Sequence, residues 1–254
     1  MLDLSVNDAL LLIGHGSGRY PDAADPMRRH AETLRSRGWS VEIAVLNGSP
    51  TVAEALGRIG AATVRVVPFF MEDGYFSRVA VPRALEAVLA GAGARSTPSP
   101  GAAIQFAPPV GLHDGIAAII ERQGLAACAA LGVAPDTAAV VVIGHGSAIA
   151  PGRALALHRH CSRVAATATF TTVQAACLEE APFVADVLGR LSLHPVVVVG
   201  FFANQAGHVL DDIPALLAAE QSARGSAGLP VRFHASVTDD PAMADIILEQ
   251  AAVG

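Results

Sequence analysis

The chain repeats itself once, and that repeat constrains what it can fold into. LLIGHGSG at 11–18 matches VVIGHGSA at 141–148, which puts His15 and His145 130 positions apart. VLNGSPTVAEAL at 45–56 matches CLEEAPFVADVL at 177–188, and PFFMEDGYFSRVAVP at 68–82 matches GFFANQAGHVLDDIP at 200–214, both offset by 132. IQFAPPVGLHDGIAAII at 104–120 matches VRFHASVTDDPAMADII at 231–247, offset by 127. Each copy is far longer than a solenoid unit, so the pattern predicts a duplicated domain rather than an array. The expected lobes are residues 1–135 and 136–254, with the boundary in GVAPDTAA at 132–139.

Within each copy, strand and helix signals alternate. AAVVVIGHGS is an apolar run ending in a glycine turn, the pattern of a strand buried on both faces. RALALHRHCSRVAATA reads as a helix, TTVQAACLE as a strand, PFVADVLGRL as a helix with Pro182 near its first turn, and HPVVVVGFF as a strand. VLDDIPALLAAEQSA, VRFHASV and PAMADIILEQAA then read as helix, strand and helix. Gly/Pro/Ser-rich loops at 91–102 and 222–230 fall at equivalent places. Such alternation predicts an α/β fold: two flavodoxin-like lobes, each a doubly wound parallel sheet of order 2-1-3-4 covered by helices.

That order predicts where chemistry sits. Ligands of open α/β sheets bind beyond the carboxyl ends of the strands, where the strand order reverses. In the second copy the residues at that point are His145 after the first strand, Glu179 after the second and His208 in the loop after the third. Two imidazoles and a carboxylate suit cobalt, iron, nickel or zinc. Three protein ligands leave coordination positions open, which a metal in transit needs. Glu179 or a histidine could also accept a proton. In the first copy His15 persists, but Asn47 stands for Glu179 and Phe76 for His208. A single metal site is therefore expected in the C-terminal lobe, with a degenerate one in the N-terminal lobe.

The motifs IGHGS at 143–147, CLEEAP at 177–182 and FFANQAGHVLDDIP at 201–214 resemble those of the class II, ATP-independent chelatases, in the two-lobe long form of the sirohydrochlorin cobaltochelatases and ferrochelatases. The resemblance covers nearly the whole chain. It implies two chelatase-like lobes facing a central cleft, and His145 and His208 as metal-holding residues with Glu179 at the acidic position. It also implies insertion of a divalent metal (cobalt or ferrous iron, with nickel as an alternative) into sirohydrochlorin or a related early tetrapyrrole, in cobalamin or siroheme biosynthesis. Gly200 stands where the family pattern has a proline, although Pro68 keeps it in the first copy. A sirohydrochlorin-type substrate is rich in carboxylates, so Arg19, Arg78 and Arg153 are candidates to pair with it. Ser17 and Ser147 are candidate donors, and His15 a further contact.

Other readings stand beside these. Glu179 could cap the helix that follows it, and His15 could be a relic. His158 and His160 are two apart on a predicted helix and so share no face. The alternative function is a non-catalytic carrier of metal or tetrapyrrole. GHGS does not match a serine nucleophile elbow, and no G-x-x-x-x-G-K-[ST] loop is present, so insertion without nucleotide is expected. A formal charge of −6 argues against a nucleic-acid partner. With 52% hydrophobic residues the chain can bury a core, yet no apolar run approaches a membrane span. Three widely spaced cysteines fit neither a zinc pattern nor a disulfide framework. A cytoplasmic monomer or homodimer without a signal peptide is the expectation.

Overall fold

The long apolar runs become the centres of two four-stranded parallel sheets. The computed structural model describes residues 5, 7–91, 102–204, 211–225 and 228–253. His208 and most of the loop read at 91–102 lie outside them. The first sheet contains β1 (Ala9–Gly16), β2 (Ser40–Asn47), β3 (Thr63–Pro68) and β4 (Ala103–Phe106), in the order β2-β1-β3-β4. The second contains β5 (Ala139–Gly144), β6 (Thr172–Cys177), β7 (Val196–Gly200) and β8 (Val231–Ser236), in the order β6-β5-β7-β8. Both match the expected 2-1-3-4 arrangement. Central position explains the composition: every residue of β5 and β7 is buried, whereas the edge strand β4 is largely exposed.

The helices are α1 (Asp25–Ser36), α2 (Val52–Leu56), α3 (Val81–Gly91), α4 (Gly115–Leu131), α5 (Leu155–Ala165), α6 (Val184–Arg190), α7 (Ile213–Arg224) and α8 (Met243–Ala251). Alternate residues of each central strand face them. Ala9, Leu11 and Ile13 pack with Val52, Ala55 and Leu56 of α2 and with Leu85 of α3. Ala139, Val141 and Ile143 pack in the same way with Val184, Val187 and Leu188 of α6 and with Ile213 and Leu217 of α7. The short helix α2 is held by a reciprocal cap. Thr51 Oγ1 accepts from the Glu54 amide at 3.3 Å, and Glu54 Oε2 accepts from the Thr51 amide at 2.7 Å. None of the described helices is long and apolar enough to cross a membrane.

The chain forms two compact units, and they do not divide at residue 135. Helix α4 packs in the second unit, with α5, β7 and β8, although it follows the strands of the first. Helix α8 packs in the first unit, with α1 and β3. One unit accordingly contains Met1–His113 and Pro241–Gly254, and the other begins at Asp114. Specific contacts fix each assignment. Gln123 of α4 donates to the Ser236 carbonyl at 2.9 Å, Arg122 pairs with Asp240 at 2.7 Å, and Gly124 lets the Phe170 ring come close. On β3, Arg65 is buried, pairs with Asp8 at 3.2 Å and donates to the Ala251 carbonyl of α8 at 3.2 Å. Because α4 and α8 are equivalent in the repeat, the two copies have exchanged their last helices.

Gly200 also has a local reason. A side chain there would place Cβ 2.6 Å from Ser236 Oγ and 2.9 Å from the Phe202 ring, where the β7–β8 register shifts.

Removing one partner of a buried ion pair strands the other charge. Arg65→Ala should therefore cost about 3 kcal/mol of stability, measured by urea denaturation, since Asp8 would stay buried without its guanidinium.

Candidate functional site

Both central strands end in the same backbone device. Gly16 and Gly146 adopt positive φ, +70° and +71°, immediately after His15 and His145. A Cβ on Gly16 would lie 2.3 Å from the Asn47 carbonyl oxygen, and one on Gly146 would lie 2.7 Å from Glu180 Cγ and 2.8 Å from Cys177 Cβ. Only glycine fits both the conformation and the space. The following serine then closes a turn: Ser17 Oγ accepts from the Tyr20 amide at 3.1 Å, and Ser147 Oγ accepts from the Ala150 amide at 3.1 Å. Backbone bonds at the neighbouring strands repeat as well. Val45 N donates to Pro50 O and Cys177 N to Pro182 O, both at 2.8 Å.

In the second unit this geometry brings two of the three expected metal ligands together. The Glu179 amide donates to the His145 carbonyl at 2.9 Å, which sets the two residues side by side. Their side chains are about half exposed, with His145 Nδ1 3.6 Å from Glu179 Oε2. That is too long for a hydrogen bond. It is close to the separation of two donors sharing one ion, about 3.4 Å for tetrahedral coordination at the usual ligand distances. Among the described residues no group of three His, Cys, Asp or Glu side chains could hold a metal ion. The third expected ligand, His208, lies outside those residues.

The first unit shows what occupies the equivalent positions. The Phe76 ring lies over His15, centroids 4.5 Å apart, and stacks on Phe70 at 5.9 Å. Phe76 opens a π-helical turn, Phe76–Ala80, that leads into α3. Asp211 and Asp212 have the same π-helical backbone ahead of α7, at the matching place in the repeat.

The candidate substrate residues fall into one group per unit. His15 stands at the end of β1, and Ser17 and Arg19 occupy the loop that follows, where the Arg19 guanidinium lies 5.3 Å from the Tyr20 ring centre. Arg78 is exposed and donates twice to Asp73 Oδ2, at 2.9 and 2.6 Å. Those bonds hold the Asp73 carboxyl below its ordinary range and raise Arg78 above its own. Ser147 and exposed Arg153 occupy the loop after β5, on the same segment as His145.

The sequence of the CbiX family matches residues 9–126 and 139–253, covering both copies. The chain belongs to the CbiX family. One relative of this CbiX chain, from Halobacterium salinarum, is named "Probable sirohydrochlorin cobaltochelatase"; it is 27% identical over 96% of this chain and 90% of its own length. Two solved structures share the fold. DR2241 from Deinococcus radiodurans, described as similar to chelatases with two additional novel domains, superimposes with a TM-score of 0.79 at 24% identity over 96% of this chain. The CbiX chain spans 54% of that protein's length. SirB from Bacillus subtilis, solved with Fe3+, gives a TM-score of 0.77 at 19% identity, covering 96% of this chain and 93% of SirB.

Sequence reasoning passed over a second acid beside the candidate ligands of this CbiX chain. Glu180, next to the candidate ligand Glu179, is 4% exposed, and its Oε2 accepts from the Gly152 amide. The signal lay in the repeat itself, because the matching residue of the first copy is Gly48, with no side chain to bury. Two histidines prove to be packing residues. His30 lies against Phe69 at 6.3 Å and His160 against Phe201 at 5.8 Å, both buried at matching places.

The three cysteines are buried and form no disulfide. Burial pushes the Cys161 thiol up to about 12, with Cys177 nearby adding to the rise, and it also raises Cys128. At pH 8 Cys128 and Cys161 stay protonated, and burial shields all three thiols. A colourimetric thiol reagent should label none of them in the native protein and all three after denaturation. Fast labelling of Cys161 in the folded state would contradict this packing.

Proposed function

We propose that this protein is a chelatase that inserts cobalt or ferrous iron into sirohydrochlorin or a closely related early tetrapyrrole, using His145, Glu179 and His208 of its second unit. Membership of the CbiX family and the Halobacterium relative's name support the reaction class. The observation that carries the assignment to these residues is the 3.6 Å approach of His145 Nδ1 and Glu179 Oε2 at the switch point of the second sheet. His208 joins the set through the repeat. Its counterpart Phe76 packs against His15, the counterpart of His145, and that correspondence supports His208 as the third donor.

The metal is a substrate in this scheme. The open donor set takes the ion from solution and presents it to one face of the ring. Four metal–nitrogen bonds form as two pyrrole protons leave and the ion's bonds to the protein donors break. A half-exposed carboxylate beside an imidazole can accept a proton and release it to water, so Glu179 serves as ligand or base. Arg153 and Ser147 stand on the same loop as His145 and are suited to the substrate's carboxylates. His15, Ser17, Arg19 and Arg78 supply the corresponding contacts of the first unit. No step calls for a nucleotide. Placement in cobalamin or siroheme biosynthesis follows from the substrate, and a cytoplasmic location suits an early tetrapyrrole and three reduced thiols.

Purified protein mixed with metal-free sirohydrochlorin and cobalt or ferrous iron should change the visible spectrum faster than the uncatalysed mixture. His145→Ala and His208→Ala should each lower the insertion rate about a hundredfold or more, with His15→Ala milder. Equal losses at all three positions would overturn the assignment to one unit. Tight stoichiometric binding without turnover would indicate a carrier.

A further inference from the structure

The buried carboxylate of Glu180 has no role in the scheme above. It sits one residue beyond Glu179, beneath the loop that links β5 to α5. Its Oε2 accepts a hydrogen bond from the Gly152 amide. Its Cγ and Oε1 lie 2.7 and 3.2 Å from where a Gly146 side chain would begin. The side chain therefore touches both ends of the loop, under Gly146 and at Gly152, and Ser147 and Arg153 lie within or just beyond that span. Gly152 itself adopts a positive φ of +81°, a conformation that glycine reaches without steric cost.

Stability alone is a poor reason for this arrangement. Oε1 is buried and has no hydrogen-bond partner among the described residues. A carboxylate with one satisfied oxygen and one dry oxygen returns little against its desolvation. What it does achieve is placement, because a hydrogen bond to a backbone amide is directional. The other copy supplies the control. Its matching residue, Gly48, has no side chain, and a Cβ there would stand 3.8 Å from the Ser17 carbonyl of the corresponding loop. The brace is thus present only in the unit that carries the His145–Glu179 pair.

We infer that Glu180 is a positioning residue: by clamping Gly152 and supporting Gly146, it holds the 146–153 loop so that Ser147 and Arg153 meet the substrate's carboxylates while His145 presents the metal. This rests on the chelatase reading.

The test compares Glu180→Gln, Glu180→Ala and Glu180→Asp with the parent protein in cobalt insertion into sirohydrochlorin. Glutamine keeps an acceptor oxygen at the same reach, whereas aspartate keeps the charge but is one methylene short of Gly152. Glu180→Ala and Glu180→Asp should raise KM for sirohydrochlorin about tenfold, with a smaller change in KM for cobalt, and Glu180→Gln should stay near the parent. Amide exchange at Gly152, measured on the metal-free proteins, should accelerate in the Ala and Asp variants and remain slow in Gln. Should the alanine variant fail to fold, the Asp and Gln pair carries the same comparison. Parental kinetics in Glu180→Asp, or equal losses in Asp and Gln, would overturn the inference. Absence of insertion by the parent protein would instead overturn the chelatase reading.

Discussion

The pairing of His145 with Glu179 at the end of the second sheet depends on one missing side chain. Gly146 turns the chain sharply as it leaves β5, over Cys177 and Glu180, with no room for even a methyl group. That turn leaves His145 facing solvent at the tip of an otherwise fully buried strand. It also keeps the His145 carbonyl available to the Glu179 amide, so one backbone bond aligns an imidazole and a carboxylate. The positions of Ser147 and Arg153 follow from the same turn.

Much of this was legible in the sequence because a buried parallel strand has an unmistakable composition. Val140–Ile143 and Val196–Val199 are apolar on both faces, and the repeat fixed which strands correspond. The order of each sheet followed from handedness and alternation, and with it the meeting of His145 and Glu179. Two features were not legible. Helix α4 shows an apolar face containing Ile116, Ile119, Ile120 and Cys128, but a face states that it will be buried and not against which sheet. Nor does a pair of adjacent glutamates reveal which one faces water. Glu179 and Glu180 differ only in the direction each takes at the end of β6, and a single turn decides that.

The two units have diverged at the switch point while keeping its backbone. Glycine conformation, serine turn and strand-end hydrogen bonds agree between copies to within about 1° and a few tenths of an ångström. The side chains do not. Phenylalanine packs at a tilt against His15 in one unit, whereas an acid stands beside His145 in the other. Aromatic surface suits contact with a flat conjugated ring, and donor atoms suit an ion. A duplicated site can divide such labour because the scaffold tolerates either set.

The exchange of α4 and α8 has a consequence during synthesis. A nascent chain ordinarily completes its N-terminal domain first. Here the second unit has all its elements once Asp240 has left the ribosome, while the first still lacks the helix that Arg65 of β3 grips. The part of the protein made earliest is therefore the last to close, and the unit bearing His145 and Glu179 is already assembled when it does.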